Sequence, residues 1–219
     1  MKRQQKLMNI KDAIALIKPG YRVMVGGFGL RGYPEELVDA LAESGTGDLT
    51  VISNDLGSPG VGLGKLLSNG QIKALIGNFY TWNPDVADYY NKGKIDVTLV
   101  PQGTFAEGMR AAGVGIPGFY TPTAVGTELA KGKETKEFDG RTYVLEKAIH
   151  ADVALIKAHQ ADALGNLVYY KTARNFNPVM AMAAKLTIAQ VDEIVPAGSL
   201  SPEAIATPRI FVDIIIKRS

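Results

Sequence analysis

The stretch Val23-Met24-Val25-Gly26-Gly27-Phe28-Gly29-Leu30-Arg31-Gly32-Tyr33-Pro34 decides the fold. Tyr21–Val25 is a short β-type run that enters a cluster of glycines. Pro34 stands where a helix opens, because its missing N–H costs nothing in the first turn. Glu35 and Glu36 follow, favourable at the positive end of a helix dipole, and Leu37, Val38 and Leu41 supply the buried stripe. Strand, glycine loop and helix in this order form a phosphate-cradle geometry, in which glycines let backbone N–H groups approach an anion. Gly27-x-Gly29-x-x-Gly32 also fits the dinucleotide fingerprint, and Asp55, 23 residues beyond Gly32, sits where a ribose-binding acid is expected. The plainer reading is a tight turn that packs a helix on a sheet. Pro34 counts against a dehydrogenase, whose helix begins inside the glycine loop.

Working outward, β-type runs alternate with helical ones. Ile10–Lys18 has helical spacing and is stopped by Pro19-Gly20. Leu49–Ser53, Ile72–Ile76 and Val97–Val100 read as strands, with helices at Val61–Leu67 and Pro84–Asn91 between them. Thr104 is placed to cap a helix over Phe105–Ala112, with Glu107 completing a capping box. Glu134–Glu146 then reads as a hairpin around Asp139-Gly140, and Gly165-Asn166 marks another turn. The alternation resumes with strands at Val153–Ile156 and Leu186–Ala189, a helix at Pro178–Ala184 and a strand at Ile210–Ile216. The expectation is an α/β, Rossmann-like, mostly parallel sheet with helices on both faces and a small β-hairpin insertion. Residues 9–219 are expected to form a single domain, with residues 1–8 a flexible leader and Met8 a second candidate start.

Composition narrows the function. The 219 residues carry 24 basic and 22 acidic side chains, a balance of +2 without a dense basic run, which argues against a nucleic-acid partner. The absence of cysteine removes disulfides, thiolate-ligated metals and thiol catalysis. His150 and His159 lie nine apart around a strand, not at ligand spacing, so no metal site is expected. No apolar run approaches the roughly 20 residues of a membrane span, and no uninterrupted secretory h-region follows the N-terminus. The expected location is the cytoplasm.

Several landmarks together resemble one family. Val23-Met24-Val25-Gly26-Gly27-Phe28 with Gly32-x-Pro34 is similar to the glycine signature of the A (alpha) subunit of family I CoA-transferases. Ile52-Ser53-Asn54-Asp55, Pro101-Gln102-Gly103-Thr104, Gly115–Thr123 and Ala173-Arg174-Asn175-Phe176-Asn177-Pro178 continue the match over nearly the whole chain. In general look it resembles bacterial acetate/butyrate:acetoacetate (3-oxoacid) CoA-transferase A subunits, and Asn83-Pro84-Asp85 points to that branch.

The resemblance implies a two-subunit enzyme that moves CoA from an acyl-CoA to a carboxylic acid. The acyl-CoA is a substrate, and no tightly bound cofactor is expected. The family's nucleophile is a glutamate in a Ser-Glu-Asn-Gly setting on the B (beta) subunit. This chain has Ser68-Asn69-Gly70 but no such tetrapeptide, so no catalytic nucleophile is expected here. By resemblance Gly26, Gly27, Phe28, Gly29, Leu30, Arg31 and Gly32 form the CoA-associated loop, and Gln102 lines the acyl or oxyanion side of the cleft. Asn54 is a second candidate there. The plainer readings are a loop amide for Gln102 and a turn cap for Asn54. Arg174 and Asn175, just before a helix start, suit either an anion or a structural turn. Arg110, three residues after Glu107, is placed to pair with it. Two rival readings stand beside this one: an NAD(P)-dependent oxidoreductase on the glycine fingerprint, and a sugar-phosphate sensor, which lacks a DNA-binding helix-turn-helix. Within the family, 3-oxoadipate is the alternative acid.

Overall fold

The structure is a computed structural model, and it describes residues 6–219. Seven strands form one parallel sheet: β1 (Arg22–Val25), β2 (Leu49–Ile52), β3 (Ile72–Gly77), β4 (Asp96–Leu99), β8 (Ala151–Asp162), β10 (Ala184–Val195) and β11 (Ile214–Lys217). Their spatial order is β11-β10-β8-β1-β2-β3-β4, and the short β9 (Leu167–Val168) pairs antiparallel with β8. The chain winds outward from β1 to β4, then returns to the other side of β1. The glycine loop therefore leaves the sheet at the switch point between β1 and β8, where open α/β sheets place their ligands.

Side-chain alternation builds two cores. Val23 and Val25 of β1, Val153 and Leu155 of β8, and Ile214 and Ile216 of β11 face one side. There they meet α1 (Ile10–Ile14), α2 (Glu35–Ser44), α3 (Leu63–Ser68) and α4 (Pro84–Asn91). Met24, Ala154, Ile156 and Ile215 face the other side, against α5 (Gln102–Gly113) and α6 (Asn177–Ala183). A strand buried on both faces has no polar position to spare, which explains the near-continuous apolar runs.

Boundaries differ from the sequence expectation for local reasons. The first helix is shorter than Ile10–Lys18, ending at Ile14, although Ile17 is still buried. Pro34 is the N-cap of α2 rather than its first residue, and Gly45 in the left-handed region (φ +68°) closes that helix. Asn83 accepts from the Asp85 N–H, with Pro84 in the first turn of α4. The strand expected at Ile210–Ile216 starts only at Ile214, because residues 209–211 form a 3₁₀ turn.

Thr104 is not a cap. Helix α5 starts two residues earlier, behind Pro101, and Thr104 is buried within it. Glu107 closes no capping box; both its oxygens take the Arg110 guanidinium at 2.7–2.8 Å, the pairing expected from the spacing.

The insertion is larger than a hairpin. Its two arms, β6 (Thr135–Phe138) and β7 (Arg141–Lys147), flank Asp139 and Gly140, both at positive φ, and β5 (Gly118–Thr121) joins β7 as a third antiparallel strand. The expected flexible leader lies partly outside the described residues. Within them, residues 6–8 run beside β11: Leu7 bridges Ile215, and the Met8 N–H donates to the Ile215 carbonyl at 3.2 Å. Unpaired groups on an edge strand attract such a partner.

Candidate functional site

The carboxyl ends of β1, β2, β3 and β4 converge on one cleft of about 520 Å³. Phe28, Asn54, Asn78, Trp82, Gln102 and Leu129 are among its lining residues, and among the described residues no ionisable side chain lines it. Its rim is apolar and exposed: Phe28 is 49%, Trp82 58% and Leu99 49% accessible.

Gln102 and Asn54 form its polar floor, and the buried Asp55 backs them from outside the cleft. Gln102 Nε2 donates to Asn54 Oδ1 at 3.0 Å, and Asn54 Nδ2 donates to Asp55 Oδ2 at 2.8 Å. The same Asp55 oxygen takes the Gly29 N–H at 2.8 Å, while Oδ1 takes the Gly57 N–H at 3.0 Å. The ends of β1, β2 and β4 are thus tied through one buried carboxylate. Asn54 and Gln102, which the sequence paired only as candidates, touch each other. Gln102 is exposed as the first residue of α5, not a loop amide, and one N–H of its amide remains beyond the bond to Asn54.

The glycine loop departs from the expected phosphate cradle. The Gly26 N–H donates to Leu155, extending the β1–β8 pairing. Phe28 and Arg31 exchange N–H···O bonds of 3.0 and 3.1 Å, the Gly27 N–H goes to Asn175 Oδ1 at 3.2 Å, and the Gly29 N–H goes to Asp55. The amides of Gly26, Gly27, Phe28 and Gly29 therefore face protein, not an open anion site. The N-terminus of α2 is filled too: Gln190 Oε1 accepts the Glu36 and Leu37 N–H groups at 3.1 and 3.3 Å. Asp55 is 7% accessible and committed to the protein, so its expected ribose role fails with the dinucleotide fingerprint.

Two of the glycines have a packing reason. A Cβ on Gly26 would lie 1.9 Å from Asn177 Oδ1, and one on Gly32, at φ +67°, 2.1 Å from the Ala173 carbonyl oxygen. Gly29, at φ +54°, would meet only Trp82, at 3.5 Å. Arg174-Asn175-Phe176-Asn177 wraps the loop from behind; the sequence singled out this motif but not its task. Nearby, burial pushes the Tyr33 and Tyr80 phenols well above their ordinary pKa, which keeps both neutral.

Comparison with known proteins fits this arrangement. The family model described as coenzyme A transferase matches residues 7–218. The chain belongs to the coenzyme A transferase family.

The A subunit of a probable succinyl-CoA:3-ketoacid coenzyme A transferase from Bacillus subtilis is 52% identical over 210 residues, covering 96% of this chain and 88% of the relative. The alpha subunit of the acetate CoA-transferase from Escherichia coli K12 is 46% identical over 211 residues, covering 96% of each. This chain is a CoA-transferase A subunit. An acyl-CoA transferase of Escherichia coli O157:H7, solved as a thioester complex with CoA, superposes with a TM-score of 0.86 at 23% identity. That match covers 98% of this chain and 47% of the other, so this chain spans about half the length of that solved chain and shares its fold. Among the described residues, no group of His, Asp and Glu is placed to hold a metal, and no helix is long and apolar enough to cross a membrane.

Proposed function

We propose that this chain, joined to a B-type subunit, transfers CoA from an acyl-CoA to a short-chain carboxylic or 3-oxo acid. The observation that carries this is a cleft offering an amide donor and apolar walls but no carboxylate. The chemistry needs a nucleophilic carboxylate. It attacks the thioester carbonyl, giving a mixed anhydride and CoA thiolate. The thiolate then attacks the glutamyl carbonyl, giving glutamyl-CoA thioester and the free acid. A second acid reverses both steps and regenerates the carboxylate. No oxidant, metal or further cofactor enters the balance. With no ionisable group lining the cleft among the described residues, the glutamate is assigned to the partner.

In this reading Gln102 directs its remaining N–H at the oxyanion that forms when the thioester carbonyl is attacked. Asn54 holds that amide in orientation, and the committed Asp55 fixes Asn54. The Gly26–Gly32 loop borders the CoA side of the cleft through the exposed side chain of Phe28 rather than through its amides. The names of the relatives support a 3-oxo or short-chain acid, with 3-oxoadipate as the alternative acid.

The test is reconstitution. The chain alone should show no transfer between acetyl-CoA and acetoacetate, whereas the complex with a B subunit carrying a Ser-Glu-Asn-Gly glutamate should form a trappable glutamyl-CoA thioester. Enzyme-like turnover by the isolated chain would sink the division of labour. Calorimetry with NAD and with CoA adds a second check, in which tight NAD binding would revive the oxidoreductase reading.

A further inference from the structure

The segment that wraps the glycine loop is built to hold it at both ends. Asn175 Oδ1 accepts from Gly27, at the entry, and from the Phe176 N–H at 2.7 Å. Asn175 Nδ2 donates to the Arg31 carbonyl at 2.8 Å, at the exit, and to Ala173 at 3.2 Å. Asn177, fully buried, donates through Nδ2 to the Gly32 carbonyl at 2.9 Å. Its Oδ1 accepts the Lys157 N–H at 2.9 Å, at the point where β1 has left β8 and the ladder would be open. Between these anchors Phe28 of the loop lines the cleft together with the chain's single tryptophan, Trp82, toward which the vacant Cβ position of Gly29 points.

Asn175 holds this position in an unusual backbone conformation, φ +24° and ψ −123°. L-residues keep such a geometry only when the surroundings impose it. A glycine would take the turn with less strain but would carry no amide to reach the loop. The side chain is therefore what the site keeps.

We infer that Asn175 and Asn177 are positioning residues, which clamp the Gly26–Gly32 loop and so set where Phe28 meets the acyl-CoA. The inference rests on the functional reading above only in its last clause. The loop is coupled to the reacting end as well, since Gly29 reaches Gln102 through Asp55 and Asn54.

Asn175→Gly separates clamp from fold, because glycine tolerates positive φ better than any other residue and the change removes the amide. The variant should melt cooperatively. In the chain alone, Trp82 fluorescence should shift and become more readily quenched by acrylamide. In the A–B complex, KM for acetyl-CoA should rise about tenfold, with kcat changed by less than about threefold, the pattern of lost binding shared by ground and transition states. Asn175→Asp keeps the acceptor for Gly27 but turns a carboxylate oxygen on the Arg31 and Ala173 carbonyls, so it should not rescue KM. Wild-type Trp82 quenching and KM in folded Asn175→Gly, or full rescue by Asn175→Asp, would overturn the clamp. A wild-type complex without transfer activity would instead remove the functional reading, while the Trp82 comparison would still decide whether Asn175 holds the loop.

Discussion

The glycine loop and the Gln102 corner share one edge of the sheet and one hydrogen-bonded chain, yet they spend their polar groups in opposite ways. In the loop, the amides of Gly26, Gly27, Phe28 and Gly29 are taken by Leu155, Asn175, Arg31 and Asp55. At the corner, Gln102 gives one N–H to Asn54 and keeps the other at an exposed surface. The loop is thus architecture with an apolar tip, and in the proposed reading the corner is the reactive donor. A glycine-rich turn after a strand does not by itself grip an anion. What decides is whether the protein has already claimed its amides.

The largest expected effect tests the loop half of this contrast. Gly32→Val would drive a side chain into the Ala173 backbone from a positive-φ position. Overpacking and backbone strain cost about 1–3 kcal/mol each, so about 2–6 kcal/mol is expected together. In a chain of this size that lowers the melting temperature by at least about 4 °C. Gly29→Val shares the positive φ but has only Trp82 nearby, so the strain of about 1–3 kcal/mol should stand alone. Equal melting temperatures for the two variants would erase the distinction between glycines packed by Ala173–Asn177 and a glycine that merely turns.

The corner should respond more in rate than in stability. Gln102→Glu replaces the donor beside the developing oxyanion with a carboxylate. Formation of the glutamyl-CoA thioester should fall about 10²–10³-fold, equivalent to roughly 2.7–4 kcal/mol of transition-state stabilisation. Assembly with the B subunit should hold, since Gln102 is exposed, and the lost donor to the buried Asn54 oxygen should cost only about 1–3 kcal/mol of stability. A wild-type single-turnover rate in a normally assembled complex would return Gln102 to a structural amide.

The smallest effect lies at the opposite end of β1. Asp152 Oδ2 accepts the Arg22 N–H at 3.0 Å, and Oδ1 takes Lys185 at 2.9 Å. The Arg22 N–H first, then Lys185, hold its carboxyl below the usual carboxylate range. A depressed folded pKa gives stability that is complete above the unfolded value near 3.9 and lost as pH falls through the folded one. Asp152→Asn should therefore cost under about 1 kcal/mol at neutral pH, and its deficit should close below about pH 4. Urea unfolding across a pH series measures this; a deficit that persists undiminished in acid would point to lost packing instead of charge.

The sequence by itself determined the frame. Short continuous apolar runs such as Val23–Val25 and Val153–Ile156, separated by helical stretches, leave little choice but a parallel sheet covered on both faces. Pro101-Gln102 at a strand end and the missing glutamate tetrapeptide were equally legible, because residue identity alone carries them. Tertiary structure decided the rest. Whether Gly27 and Gly29 donate to a ligand or to Asn175 and Asp55 depends on groups 148 and 26 residues away. The true start of α5, which undid the Thr104 cap, depends on Pro101 and on burial of Thr104 against the sheet. Local patterns report what a backbone segment prefers; which distant side chain satisfies its hydrogen bonds is fixed only when the fold brings the two together.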